Sequence, residues 1–178
     1  LRKYNPIEDR IQLPDISKEL QELKALFADS KRPVIVAGHG IRLSDGIEQF
    51  LRLVEKLNIP VVTTMNGFDV IPDDHKNFIA RIGTVANRAG NFVLQNADLV
   101  LSVGSRNNIR QVSYNWENFA KNAKLVCVDI DKAELDKPTV KPAIKIHSDA
   151  KDFIDKAHEI LQPKAFDEWN EWCNAIKN

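Results

Sequence analysis

Short, predominantly apolar runs alternate along this chain with longer stretches whose apolar residues recur every three or four positions. The runs are Pro33–Ala37, Ile59–Thr64, Leu99–Val103, Leu125–Ile130 and Ala143–Ile146, with Phe78 and Ile79 as a shorter one. They are predominantly apolar rather than alternating, the signature of strands buried on both faces. The periodic stretches read as helices. Leu20, Leu23, Leu26 and Phe27 share one face after Ser17, which is placed to act as N-cap. Ile47, Phe50, Leu51, Val54 and Leu57 share another, with Ser44 and Asp45 as caps before it and Asn58 closing it. A helix from Asn87 carries Ala89, Phe92, Val93 and Leu94. A short helix is expected around Trp116 to Phe119, and a single turn at Ala133–Leu135. Asp149 caps a helix to Leu161, Pro163 stops it, and a last helix spans residues 165–176.

Strands alternating with helices predict an α/β fold: a three-layer, Rossmann-like domain with about six parallel strands between helical layers. Right-handed crossovers place the carboxyl ends of all strands on one edge. That edge gathers Gly38-His39-Gly40, Met65-Asn66-Gly67, Gly104-Ser105-Arg106 and Asp129-Ile130-Asp131. Ligands of open parallel sheets bind there.

Several residues on this edge have ligand-binding chemistry. Glycines at 38, 40, 83 and 104 allow close backbone approach, either to a phosphate or simply within a tight turn. Arg106 offers a planar fork for phosphate or carboxylate; a surface ion pair is the alternative, as it is for Arg110. Asp129 ends its strand where an acid accepts hydrogen bonds from ribose or adenine. Asp131 either faces a ligand or caps the turn at Ala133. His39 is read as a turn histidine rather than a base. The pattern lacks GxGxxG, GK[ST], HExxH and GxSxG, and the histidines at 39, 75, 147 and 158 are scattered. No catalytic residue and no metal ligand is assigned.

Composition narrows the class. Lysine plus arginine (25) equals aspartate plus glutamate (25), so there is no basic excess to favour nucleic acid. No apolar run approaches the ~20 residues of a membrane span. The two cysteines, Cys127 and Cys173, form no ligand spacing and read as reduced thiols of a cytoplasmic protein. Residues 1–15, with Pro6 and Pro14, read as an incoming linker, 16–162 as the domain, and 163–178 as a helix leading toward another domain. Met65 is the single methionine and Leu1 the first residue, which suggests a piece of a longer polypeptide. Trp169 and Trp172, three apart, either form an exposed surface awaiting a partner or fold back onto the helical layer.

As a set, these segments resemble the central domain of thiamine-diphosphate-dependent enzymes of the acetolactate-synthase-like group. The resemblance runs through Arg32–Gly40, Leu57–Thr64, Gly83–Asn91, Gln95–Leu99, Val103–Arg106 and Val128–Leu135. It implies a six-stranded sheet flanked, in the parent chain, by two domains that hold thiamine diphosphate and Mg. The GDG pattern that anchors that metal diphosphate is absent here, so the chain alone is not expected to catalyse. The parent would be a homo-oligomer that decarboxylates a 2-oxo acid and passes the acyl carbanion equivalent to an acceptor. The resemblance also implies either FAD or ADP along the strand edge, at Gly38, His39, Gly40, Thr64, Met65, Gly83, Gly104, Arg106, Asp129 and Ile130, or an empty, purely structural domain. Two departures stand out. Val85 occupies the place of a histidine in a Gly-Met-His-Gly stretch, and Asn107 and Asn108 stand where acids are usual. The alternative reading is a free-standing adenine-nucleotide module, similar to an electron-transfer-flavoprotein domain or a sirtuin. A sirtuin's zinc cysteines and histidine motif are missing.

Overall fold

In the structure, a computed structural model, residues 12–177 are described. Most of the predicted 1–15 linker therefore lies outside the described residues. Six strands form one sheet in the order β3-β2-β1-β4-β5-β6, and every neighbouring pair is parallel. They are β1 (Pro33–Ala37), β2 (Val61–Thr63), β3 (Phe78–Arg81), β4 (Leu99–Val103), β5 (Lys124–Asp129) and β6 (Ile144–His147). The α/β three-layer expectation is met, in the doubly wound order of the dinucleotide-binding folds.

Burial follows sheet position. Every residue of β1 and β4, the two middle strands, is buried. The edge strand β6 alternates, with Ile144 and Ile146 buried and Lys145 exposed. A lysine on an edge strand discourages pairing with a further strand.

The helices are α1 (Ser17–Asp29), α2 (Gly40–Leu43), α3 (Ile47–Leu57), α4 (Arg88–Asn96), α5 (Ile109–Val112), α6 (Lys132–Asp136), α7 (Ala150–Ile160) and α8 (Asp167–Lys177). On one face of the sheet α7 packs against α3 and α1; on the other α8 packs against α4 and β3. Two helix starts differ from expectation. Ser17 is the first residue of α1 rather than its cap: Ile16 holds the cap position, and Ser17 Oγ donates to Asp15 Oδ1 at 2.8 Å. Gly46, not Ser44 or Asp45, sits at the cap position of α3, because α2 runs to Leu43 and Asp45 turns the chain at φ 58°. Asn58 closes α3 in the left-handed region as predicted, and Asp149 caps α7 by accepting from the backbone of Lys151 and Asp152. Phe92, one of the apolar residues named for the helix from Asn87, lies off its buried face. The buried arc of α4 is Ala89, Gly90, Val93 and Leu94, and Phe92 lies beyond it, half exposed under the Arg88 guanidinium.

The tryptophans divide between the two alternatives. Trp169 is buried, and its Nε1 donates to the Pro33 carbonyl at 2.8 Å. Trp172 stacks on it, with ring centroids 5.1 Å apart, and stays partly exposed. Both cysteines are buried free thiols, and desolvation pushes each up to about 12, which makes them inert. Among the described residues, no helix is long and apolar enough to cross a membrane.

Candidate functional site

β1 and β4 lie side by side at the centre of the sheet, and their continuations leave toward β2 and β5 in opposite directions. The crevice between their carboxyl ends is the topological switch point of the fold. Its floor is backbone against backbone. Gly38 N–H donates to Val103 O and Gly40 N–H to Gly104 O, each at 2.9 Å. A Cβ on Gly38 would stand 2.1 Å from the Gly104 oxygen, and one on Gly40 would stand 2.7 Å from the Gly104 Cα. Gly104 itself turns at φ +59°. The demand for glycine at 38 and 40 thus comes from the neighbouring loop.

Above this floor opens a cleft of about 410 Å³, within the range of small-molecule sites. It brings together His39, Gly40, Thr64, Gly104, Arg106, Asp129 and Ile130. His39 Nδ1–H donates to Asn66 O at 2.8 Å, which ties the turn after β1 to the turn after β2. Thr64 Oγ1 accepts from Gly67 N–H at 3.1 Å and so caps the turn Met65–Gly67. The Arg106 side chain is 67% exposed, with Nε 3.7 Å from Glu134 Oε1. Asp129 is 9% exposed. Its Oδ1 accepts from Asp131 N–H at 2.9 Å, and Oδ2 takes no hydrogen bond from any described residue. Burial pushes the Asp129 carboxyl above its ordinary value, against the pull of that backbone hydrogen bond. Asp131, left open between two roles, caps α6: its Oδ1 accepts from Ala133 N–H at 2.9 Å.

Gly38, Met65 and Gly83 are not brought into the cleft. Gly38 is buried beneath it, and Met65 is half exposed on the same edge. Gly83, at φ +125°, lines a separate hollow of about 370 Å³ beside α5, where the Asn91 carboxamide bonds both its N–H and its carbonyl at 3.0 Å. Gln111 borders both spaces.

The sequence reading gathered Asn66 and Ser105 only as members of their turns, and missed Leu43, Ser44, Asn108, Gln111 and the turn Ser148-Asp149-Ala150 as lining residues. That last turn follows β6 directly, so the rule that gathered the other turns would have gathered it too. A larger, open hollow of about 600 Å³ lies at the opposite edge, lined by Asn58, Pro60, Asn77, Ile79 and Asn170 among others. It adjoins no strand's carboxyl end. Among the described residues, no group of three or more His, Cys, Asp or Glu is placed to hold a metal ion.

Comparison with known proteins gives this geometry a family. Residues 20–157 match the family described as thiamine pyrophosphate enzyme, central domain. The acetolactate synthase large subunit of Lactococcus lactis is 38% identical over 159 residues, covering 89% of this chain and 27% of that protein. A probable acetolactate synthase large subunit of Methanocaldococcus jannaschii is 37% identical over 161 residues, covering 86% of this chain and 27% of that protein. The large subunit of Buchnera aphidicola from Acyrthosiphon pisum is 33% identical over 178 residues, covering 99% of this chain and 30% of that protein. The chain thus spans 27–30% of the length of these relatives. The alternative of a free-standing electron-transfer-flavoprotein-like or sirtuin-like module finds no support in these matches. With the doubly wound sheet, the match over residues 20–157 establishes that the chain belongs to the central domains of thiamine pyrophosphate enzymes, with acetolactate synthase large subunits among its relatives.

Proposed function

We propose that this chain is the adenine-nucleotide-binding central domain of a parent enzyme similar to acetolactate synthase, and that it takes FAD or ADP in the cleft at the switch point. The observation that carries the reading is the pairing, in one cleft, of an exposed arginine fork with a nearly buried carboxylate that keeps an oxygen free. Arg106 suits a diphosphate, because its guanidinium donates two parallel hydrogen bonds to phosphate oxygens. Asp129 suits the ribose hydroxyls, which need an acceptor. Ile130, 42% exposed on the rim, offers an apolar plate to an aromatic ring. These residues fit an adenosine diphosphate portion. FAD would add a redox-capable ring there; ADP would add only charge and shape.

Thiamine diphosphate and Mg are a different case. With no metal-ligand cluster among the described residues and no GDG pattern in the sequence, this chain does not fit them. In this reading they are held by flanking domains of the same parent chain, which acts on a 2-oxo acid in the cytoplasm as a homo-oligomer, and residues 16–162 alone do not catalyse.

Calorimetric titration of the chain with ADP and with FAD tests the nucleotide reading. Saturable binding is expected, and Arg106→Ala should weaken it about tenfold or more, the worth of a charge-assisted hydrogen bond. Heat of dilution alone for both ligands would overturn the reading.

A further inference from the structure

Arg106 projects into the cleft from a turn that a second pair of charges holds from behind. Lys137 Nζ donates to the carbonyl oxygens of Arg106 and Asn107, the latter at 3.3 Å. The same ammonium pairs with Glu134 Oε2 at 3.0 Å. The other Glu134 oxygen, Oε1, faces Arg106 Nε at 3.7 Å. The contacts close a ring: lysine to the backbone of the arginine, lysine to glutamate, glutamate to the guanidinium. Glu134 and Lys137 stand three apart, on α6 and at its C-terminal cap, and α6 follows directly from the strand that ends in Asp129. Their side chains are 26% and 20% exposed, against 67% for Arg106.

This arrangement has a physical consequence. A lone surface arginine samples many rotamers, and a ligand that fixes it loses affinity to that ordering. Here the inner donor, Nε, faces an anion that is itself anchored by a sheltered lysine, which leaves the outer Nη groups for a forked acceptor. The turn also needs support: Gly104 and Asn107 both lie in the left-handed region, at φ 59° and 44°. Asn107 is buried and is tied through its carboxamide to Ser102, Ser105 and Cys127. Lys137 satisfies the outward carbonyls of the same turn and does not itself line the cleft.

We propose that Lys137 and Glu134 form a clasp that holds Arg106 in the orientation that receives a nucleotide's diphosphate. Both are positioning residues, acting through Arg106. The clasp rests on the nucleotide reading above and adds to it the residues that make the arginine selective for phosphate over the bare nucleoside.

The test is calorimetric titration of the 178-residue chain with ADP and with adenosine. It compares the unaltered protein, Lys137→Met, Glu134→Gln, Arg106→Ala and the double variant Arg106→Ala/Lys137→Met. Lys137→Met should weaken ADP about fivefold, leave adenosine within about twofold, and have no further effect once Arg106 is alanine. Glu134→Gln should also weaken ADP, although it removes a negative charge near the phosphate; a simple change of potential predicts the opposite sign. An effect of Lys137→Met that persists without Arg106, or that disappears at about 1 M salt, is a long-range charge effect and overturns the clasp. Equal losses for ADP and adenosine point to a merely structural lysine and overturn it as well. Failure of the unaltered chain to bind either ligand would overturn the nucleotide reading itself, and the clasp with it.

Discussion

The two edges of the sheet are finished in opposite ways. At the amino edge, side chains seal the backbone. The Asp98 carboxylate accepts from the N–H groups of Lys31 and Arg32 at 2.8 and 2.9 Å. From the last helix, Trp169 Nε1 reaches Pro33 O, Asn170 Nδ2 reaches Asn58 O and Lys177 Nζ reaches Phe78 O, each at 2.8 Å. At the carboxyl edge the loops after β1 and β4 meet backbone to backbone, Gly38 to Val103 and Gly40 to Gly104, side chains such as His39 and Asp131 brace the turns around them, and the side chains of Arg106 and Asp129 face the cleft. The same six strands thus end, at one side, against α8 and an open hollow, and at the other in a cleft that an arginine and a nearly buried carboxylate face. Charged side chains gathered in a cleft at the switch point of a parallel sheet mark the side where a ligand belongs.

The amino edge breaks most severely at Trp169. Trp169→Ala removes a buried aromatic ring and leaves the Pro33 carbonyl without its donor, at a cost of about 4 kcal/mol. Urea unfolding monitored by circular dichroism measures this. A loss under about 1 kcal/mol would mean that α8 does not seal the amino edge. The carboxyl edge breaks at its floor. Gly38→Ala forces a methyl against the Gly104 carbonyl, so the two loops must part; the expected cost is about 3 kcal/mol, toward the upper end of overpacking effects. A neutral Gly38→Ala would show that the loops yield and that glycine at 38 serves something other than their contact.

Fold and site were not equally legible in the sequence. Apolar runs at 33–37 and 99–103 mark the two middle strands because a strand covered on both faces favours apolar residues throughout and admits a polar one, such as Ser102, only with a hydrogen-bond partner. Four of the turns that line the cleft followed from that same reading, since parallel strands carry their carboxyl ends to one edge. What stayed hidden was short or depended on tertiary contact. α2 and α5 have four residues each, too few for a period to appear. Gly38 and Gly40 read equally well as a phosphate loop and as a tight turn, and only the proximity of Gly104 decides in favour of crowding by backbone. Phe92 counted as apolar, yet one position of rotation places it outside the buried arc of α4. Lys137 gave no signal at all, because its contacts to Arg106 and Asn107 span about thirty residues of chain and a sheet crossover.

Asp129 gives the smallest expected effect and the most direct contrast between the edges. Asp98, at the sealed edge, has both oxygens occupied by backbone donors. Asp129 has one donor and is buried, and its carboxyl is raised above the ordinary 3.8. A carboxyl whose folded value is raised binds its proton more tightly in the folded chain than in the unfolded one. Its contribution to stability is therefore fully present below the ordinary value and is lost as pH rises through the raised value. At neutral pH the chain carries a desolvated anion that opposes folding. Asp129→Asn keeps an oxygen to accept from Asp131 and removes the charge, so it should raise the unfolding midpoint at pH 7 relative to the unaltered chain. That advantage should shrink as pH falls through the carboxylate range, which thermal unfolding across pH measures directly. The same variant should bind ADP more weakly, because an amide offers the ribose a poorer acceptor than a carboxylate. Stability gained together with binding lost would mark a charge kept for its ligand at the expense of the fold. Stability lost at pH 7 would instead place Asp129 with Asp98, as one more brace of the backbone.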